Sequence, residues 1–179
     1  MTEIEQAIVG VVLVDLDPHE DERGLFAELF RADRLHLAQR PAQANLSESR
    51  AGVLRGLHYH HAQYDYWIPM GGRLRVGLAD LRRGSPSWKT AVALDLDAAH
   101  PKGLLIPAGV AHGYYAIEDA RLLYLVERTY DGSDEWGVAW NDPDLGVPWD
   151  IDGEPILSER DRNNQRFVLL DDRELPTVE

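Results

Sequence analysis

The chain has 179 residues, 44% hydrophobic and 27% charged, an ordinary globular balance that excludes disorder as the main state and excludes a coiled coil. Eighteen Lys and Arg stand against 31 Asp and Glu, a net charge of −13, so a general basic field for nucleic acid or anionic membranes is excluded. Cysteine is absent, which removes disulfides, thiolate catalysis and sulfur-ligated zinc.

This length predicts one domain over residues 1–179. The acidic start from Met1 to Glu5 has neither the basic nor the apolar region of a secretion signal, so the expected location is the cytoplasm. Short apolar or alternating runs follow in order at 7–15, 25–30, 52–60, 64–69, 73–81, 90–96, 103–106, 113–118 and 121–128. The longest apolar stretches, 8–14 and 103–110, are far short of the ~18–20 residues that cross a bilayer. Turn signals separate the runs at 21–24, 71–72, 83–86, 107–109 and 131–132. Short strands at this spacing predict an all-β fold, an antiparallel sandwich or barrel. A helical period occurs only at 31–39 and near 158–163, predicting short satellite helices.

Chemistry-bearing residues cluster in Arg55-Gly-Leu-His58-Tyr-His60-His61. Strand alternation puts His58 and His60 on one face. A further histidine, His112, follows the turn at 107–109. Sixteen of the eighteen basic residues are Arg, whose forked donors suit phosphate and carboxylate. An acidic protein that binds an anionic small molecule needs such residues gathered locally.

Gly52, His58-x-His60, Asp65 and Gly72, followed by Pro107-x-Gly109-x-x-His112, resemble the two cupin signatures, with Asp where Glu is usual. That resemblance implies a cupin-type jelly-roll barrel with its site inside the barrel. A narrower resemblance runs along nearly the whole chain. Asp21-x-Arg23-Gly-x-Phe26-x-Glu28-x-Phe30, Gln43-x-Asn45-x-Ser47-x-Ser49, Gly52-Val-Leu-Arg55-Gly-Leu-His58-Tyr59 and Ile106-Pro-Ala-Gly109-Val-Ala-His112 carry its first part. Trp140-Asn-Asp-Pro143 and Glu154-Pro-Ile-Leu-Ser158-Glu-Arg-Asp161 complete it. Together they resemble the dTDP-4-dehydrorhamnose 3,5-epimerase family.

The resemblance implies an isomerase that removes a proton alpha to the C4 ketone of a dTDP-linked keto-deoxysugar and returns one on the opposite face, without a cofactor. It implies His58 as base, Asp161 as its partner and Tyr130 as acid. Arg23 and Arg55 fall on positions that contact the pyrophosphate and sugar, and Gln43, Asn45 and His112 on other substrate positions. Phe26 and Glu28 fall where the family meets the thymine, often from a neighbouring subunit, which implies a homodimer with exchanged strands. Trp136, after Tyr130, is a candidate for stacking on the sugar.

Two positions depart from the pattern. His60 stands where the family has Gln, and Asp65 where it has a Lys near the developing enolate; a carboxylate there opposes that charge. One consequence is a single-carbon epimerase or isomerase. Another is a metal-binding cupin enzyme acting on a different small molecule, with His58, His60, Asp65 and His112 holding one divalent transition metal. In that case His58 either binds metal or takes the proton. The plain alternative is that Asp65 pairs with His60 or His61 at the barrel mouth. A binding module without chemistry is a third reading, against which stand both His58 and the distant Asp161.

Overall fold

Val and Leu recur at every second position of 74–78 and 92–96, so one face of each segment must be buried, and pairing the two as antiparallel strands buries both at once. The computed structural model describes residues 7–35, 37 and 39–178. Its strands are β1 Val12–Asp15, β2 His19–Asp21, β3 Gly24–Phe26, β4 Gln43–Ser49, β5 Leu54–Tyr59 and β6 Asp65–Gly71. They continue with β7 Arg73–Asp80, β8 Ala91–Asp97, β9 Lys102–Ile106, β10 Val110–Ala116, β11 Ala120–Val126 and β12 Trp136–Gly137. A short helix α1, Glu159–Asn163, and a 3-10 turn, Phe167–Leu169, follow.

The strands form two five-stranded sheets, ordered β1-β9-β6-β11-β4 and β12-β5-β10-β7-β8, and β2 and β3 form a separate hairpin. The sheets pack face to face as a cupin-type jelly roll. Trp67, Leu104, Ile106 and Leu122 of the first sheet meet Leu74, Val76, Leu78, Leu96 and Val110 of the second. Each such side chain stabilises the fold by about 1.5–3 kcal/mol when fully buried. The chain after β12 covers the outer face of the second sheet, where Val138, Leu145, Trp149 and Phe167 pack on Leu57, Ala79 and Ala111. That cover brings α1 back over β5. Among the described residues, no helix is long and apolar enough to cross a membrane.

The predicted strands are present with shifted ends. The run at 7–15 is strand only from Val12, because Val11 N–H turns back to Ile8 O at 3.3 Å. The run at 113–118 starts earlier, at Val110, where the turn closes with Val110 N–H on Pro107 O at 3.2 Å. The segment 43–49 is absent from the apolar runs yet forms β4, because its inward residues Gln43, Asn45 and Ser47 face a cavity instead of the core. The expected helix at 31–39 is not present where it is described: 32–35 form a turn, and residues 36 and 38 lie outside the described residues. Arg31 pairs there with Asp33, Nε to Oδ1 at 3.0 Å, a contact between neighbours two apart that a helix would point away from each other. The helix near 158–163 forms as expected, with Ser158 at its N-cap.

A buried charge cluster locks the end of β7. Asp80, with none of its surface exposed, accepts from Arg82 Nε at 2.8 Å and from the Ser85 and Ser87 hydroxyls at 2.6 Å each. Burial alone would raise its pKa, but these donors outweigh burial and hold it below the ordinary value of 3.8. The folded chain therefore takes up this proton less readily than the unfolded chain. The stabilisation is fully present above the unfolded value and is lost as pH falls through the lower folded value. Asp80→Asn is expected to cost about 2 kcal/mol at pH 7 and to flatten the fall of Tm below about pH 4. Tm measured from pH 3 to 7 checks this, and parallel curves for the two proteins would contradict it.

Candidate active site

Between the sheets, a cavity of about 660 Å³ opens beside β4, β5, β10 and α1, within the size range of small-molecule sites. Of the residues singled out from sequence, Gln43, Asn45, Arg55, His58, His112, Tyr130 and Asp161 line it. Arg23, Phe26 and Glu28 do not line the cavity of their own chain. Arg23 pairs with Asp21 on the hairpin, Phe26 is 69% exposed, and Glu28 faces Arg34 at 3.4 Å.

His58 stands on β5 directly across from His112 on β10. Its Nε2 lies 2.6 Å from Oδ1 of Asp161, a carboxylate buried on the first turns of α1. The helix start explains that placement. The Ser158 hydroxyl accepts from Asp161 N–H at 3.0 Å and donates to Asp161 Oδ2 at 2.9 Å, so capping the helix also fixes the carboxylate. Burial would raise the Asp161 pKa, but the hydrogen bond and charge of His58, with Ser158 and Arg160, hold it below the ordinary value. An ionised acceptor at Nε2 requires the proton there and leaves the Nδ1 lone pair of a neutral ring for another proton.

Tyr130 is tethered through its backbone N–H to Gln43 Oε1 at 2.9 Å, and Gln43 Nε2 donates to Asn45 Oδ1 at 2.8 Å. A hydrogen bond to Glu135, together with that residue's charge, raises the Tyr130 pKa. Glu135 is in turn paired with Arg160. Arg55 Nε donates to Ser49 Oγ at 3.0 Å, and the Tyr114 hydroxyl sits 2.7 Å from Ser47 Oγ and 2.9 Å from Ser49 Oγ.

Sequence reasoning did not single out Glu135, Arg160, Tyr114 or Tyr124, all of which line the cavity. No local pattern marks Glu135, Tyr114 or Tyr124, because folding brings them in from separate strands and loops, and Arg160 lies inside the 154–161 motif without a role of its own there. Trp136 is outside the cavity, stacked on Tyr59 with ring centroids 6.5 Å apart.

Asp65, on β6, faces His60 and His112 and does not face His61. His61 Nε2 instead lies 2.9 Å from the Glu174 carbonyl. Of the four side chains expected as alternative metal ligands, His60, Asp65 and His112 converge. The fourth, His58, commits its Nε2 to Asp161. Burial lowers the His112 pKa, more than the neighbouring Asp65 charge restores it.

A family model described as dTDP-4-dehydrorhamnose 3,5-epimerase matches residues 5–168. An enzyme of that description from Streptomyces griseus is 36% identical over 177 residues, which cover 94% of this chain and 88% of the relative. The crystal structure of dTDP-6-deoxy-D-glucose-3,5-epimerase from Legionella pneumophila in complex with dTDP-4-keto-L-rhamnose matches with a TM-score of 0.91 and 31% identity, over 96% of this chain and 95% of that one. ChmJ, a 3'-monoepimerase from Streptomyces bikiniensis in complex with dTDP-quinovose, matches with a TM-score of 0.88 and 32% identity, over 96% and 91%. With a match of this extent, on a jelly roll that gathers motif residues of β4, β5, β10 and α1 around one cavity, the chain belongs to the dTDP-4-dehydrorhamnose 3,5-epimerase family of carbohydrate epimerases.

Proposed function

We propose that this protein epimerises a dTDP-linked 4-keto-6-deoxyhexose, with His58 as base, Asp161 as its partner and Tyr130 as acid. The observation that carries the reading is the 2.6 Å contact between His58 and Asp161 on the cavity wall. A proton alpha to a ketone is weakly acidic, so a positioned base and a means of neutralising the enolate are both required. His58 Nδ1 accepts the proton, and the Asp161 carboxylate stabilises the imidazolium that results. Tyr130, tethered to β4 in the sheet opposite His58, returns a proton to the other face.

Arg55 and the polar inner row of β4 receive the pyrophosphate and sugar. Arg55→Ala is expected to raise KM by about 10–100-fold with little change in kcat, since a charge-assisted contact of about 1.5–3 kcal/mol is lost. Steady-state kinetics check this, and an unchanged KM would remove Arg55 from the binding surface. The β2–β3 hairpin, with Leu25 59% and Phe26 69% exposed, supports exchange into a homodimer, where Arg23, Phe26 and Glu28 of one copy complete the other's nucleotide site.

One feature favours the narrower variant that acts at a single carbon. Among the described residues no lysine lines the cavity, and Asp65 stands where the sequence pattern expects one. Proton NMR in deuterium oxide with dTDP-4-keto-6-deoxyglucose separates the outcomes. Deuterium at both C3 and C5 indicates the double epimerase, and deuterium at C3 or C5 alone indicates the single-carbon enzyme. No exchange at either position overturns the reading.

A further inference from the structure

We infer that the keto-sugar this protein epimerises carries an amino group at C3, its ammonium seated against His60, Asp65 and His112 on the cavity wall; this rests on the epimerase reading above and narrows its substrate class. His60 Nδ1 contacts the backbone carbonyl of Asp134, and His112 Nδ1 lies 2.9 Å from the carbonyl of Val110. A carbonyl oxygen only accepts, so in the neutral ring each Nδ1 carries the proton. Each ring therefore turns an unprotonated Nε2 toward Asp65, 3.9 Å from Oδ1 for His60 and 3.8 Å from Oδ2 for His112. Both gaps exceed hydrogen-bond length.

Three acceptors thus meet at the cavity wall with no donor among them, all within 4.8 Å of one another. A protonated amine offers three N–H donors, whereas a hydroxyl offers one. Acceptors held about 2.9 Å from one nitrogen, and subtending about 90–110° at it, lie about 4.1–4.8 Å apart, a range the cluster reaches by opening about 0.3 Å. A 3-hydroxyl sugar still fits, with one donor in place of three, and is the slower substrate.

Charge favours the same occupant. Of the carboxylates that line the cavity, Glu135 pairs with Arg160 and Asp161 with His58. Asp65 is 4% exposed, and no Lys or Arg among the described residues pairs with it. Gln63 Nε2 donates to Asp65 Oδ1 at 3.0 Å and Trp67 Nε1 to Oδ2 at 3.1 Å. These neutral donors orient the carboxylate and leave its charge uncompensated. A buried carboxylate without a cation is costly, and a cation carried in by the sugar offsets that cost.

The sheet register gives the position on the sugar. His112 on β10 is the cross-strand partner of His58 on β5, so the cluster adjoins the side chain proposed as base. Of the two carbons flanking the C4 ketone, C5 already bears the methyl carbon and the ring oxygen, which leaves C3 for the amine. There the ammonium also stands beside the C4 oxygen on which charge develops, in a cavity whose described lining holds no lysine.

The test is calorimetric binding of dTDP-3-amino-3,6-dideoxyglucose and of its 3-hydroxyl counterpart, dTDP-6-deoxyglucose, to the full-length protein. Neither carries the ketone, so binding is read without turnover. The amine is expected to bind about 10–100-fold more tightly, the range for charge-assisted hydrogen bonds. In Asp65→Asn the two affinities should come within about threefold of each other, with the affinity for dTDP alone unchanged. His60→Leu, which keeps the carboxylate and removes one acceptor, should lower the preference about fivefold. Equal affinities in the wild type, or an undiminished preference in folded Asp65→Asn, overturn the amino-sugar assignment, and the epimerase reading stands if the hydroxyl sugar binds. If neither sugar nor dTDP binds, that reading falls and the assignment with it.

Discussion

His58→Ala is expected to slow deuterium entry into dTDP-4-keto-6-deoxyglucose by about 10²–10⁴-fold, the range for loss of a positioned general base. That factor corresponds to about 2.7–5.5 kcal/mol of transition-state stabilisation. On the proposed mechanism the loss should fall on kcat and kcat/KM together, because an imidazole that acts on the reacting carbon would not grip the nucleotide. Asp161→Asn should approach the same loss with the histidine still present. The amide can turn its donor toward Nε2, forcing the tautomer that leaves Nδ1 protonated and unable to accept. Affinity for dTDP should stay within about twofold of wild type in both variants, since neither change alters the charge that faces the phosphates at Arg55. Exchange above about one tenth of the wild-type rate in either variant would remove that residue from the chemical step.

The second large effect is expected in stability, from Gly56→Ala. Gly56 has φ +126°, a conformation L residues rarely adopt, and an added Cβ would lie 2.6 Å from Gly113 Cα and 2.9 Å from His112 O. Both neighbours are backbone atoms of β10, so no side chain can move aside. Overpacking and backbone strain each cost about 1–3 kcal/mol, together about 4 kcal/mol. At roughly 2–4 °C per kcal/mol for a chain of this size, Tm should fall by about 8–16 °C. Gly153→Ala is the control: φ is +75°, but nothing lies within 4 Å of the added Cβ, so only the strain remains. The two variants should differ clearly in a thermal melt, and equal melting temperatures would contradict the close approach of β5 and β10. Activity should fall with Gly56→Ala as well, because the same approach sets His58 opposite His112.

Much of this architecture is legible in the sequence, for a physical reason. A strand that buries one face must alternate, and short alternating runs between Gly, Pro and Asp turns leave antiparallel sheets as the economical solution. The same periodicity misses β4, whose inner face is polar because it borders the cavity. It also misleads at 31–39, where a helical spacing of apolar residues gives way at 32–35 to a turn tied by Arg31 and Asp33.

For the site, the residue types and their motif order were readable from the chain, including the departures at His60 and Asp65. The resemblance also pointed to Asp161 as the partner of His58, whereas the partner of Asp65 stayed open between His60 and His61. His58 and His60 are two residues apart, yet His58 meets Asp161, 103 residues away, while His60 turns toward Asp65 beside His112. Sequence alone determined the all-β class and most of the candidate side chains that line the cavity, because periodicity and residue chemistry are local properties. That Asp65 faces His60 and His112 and not His61, and how a carboxylate 103 residues away reaches His58, was decided only by the packing of β6 across from β10 and of α1 over β5, since long-range contacts depend on how strands stack and not on spacing along the chain.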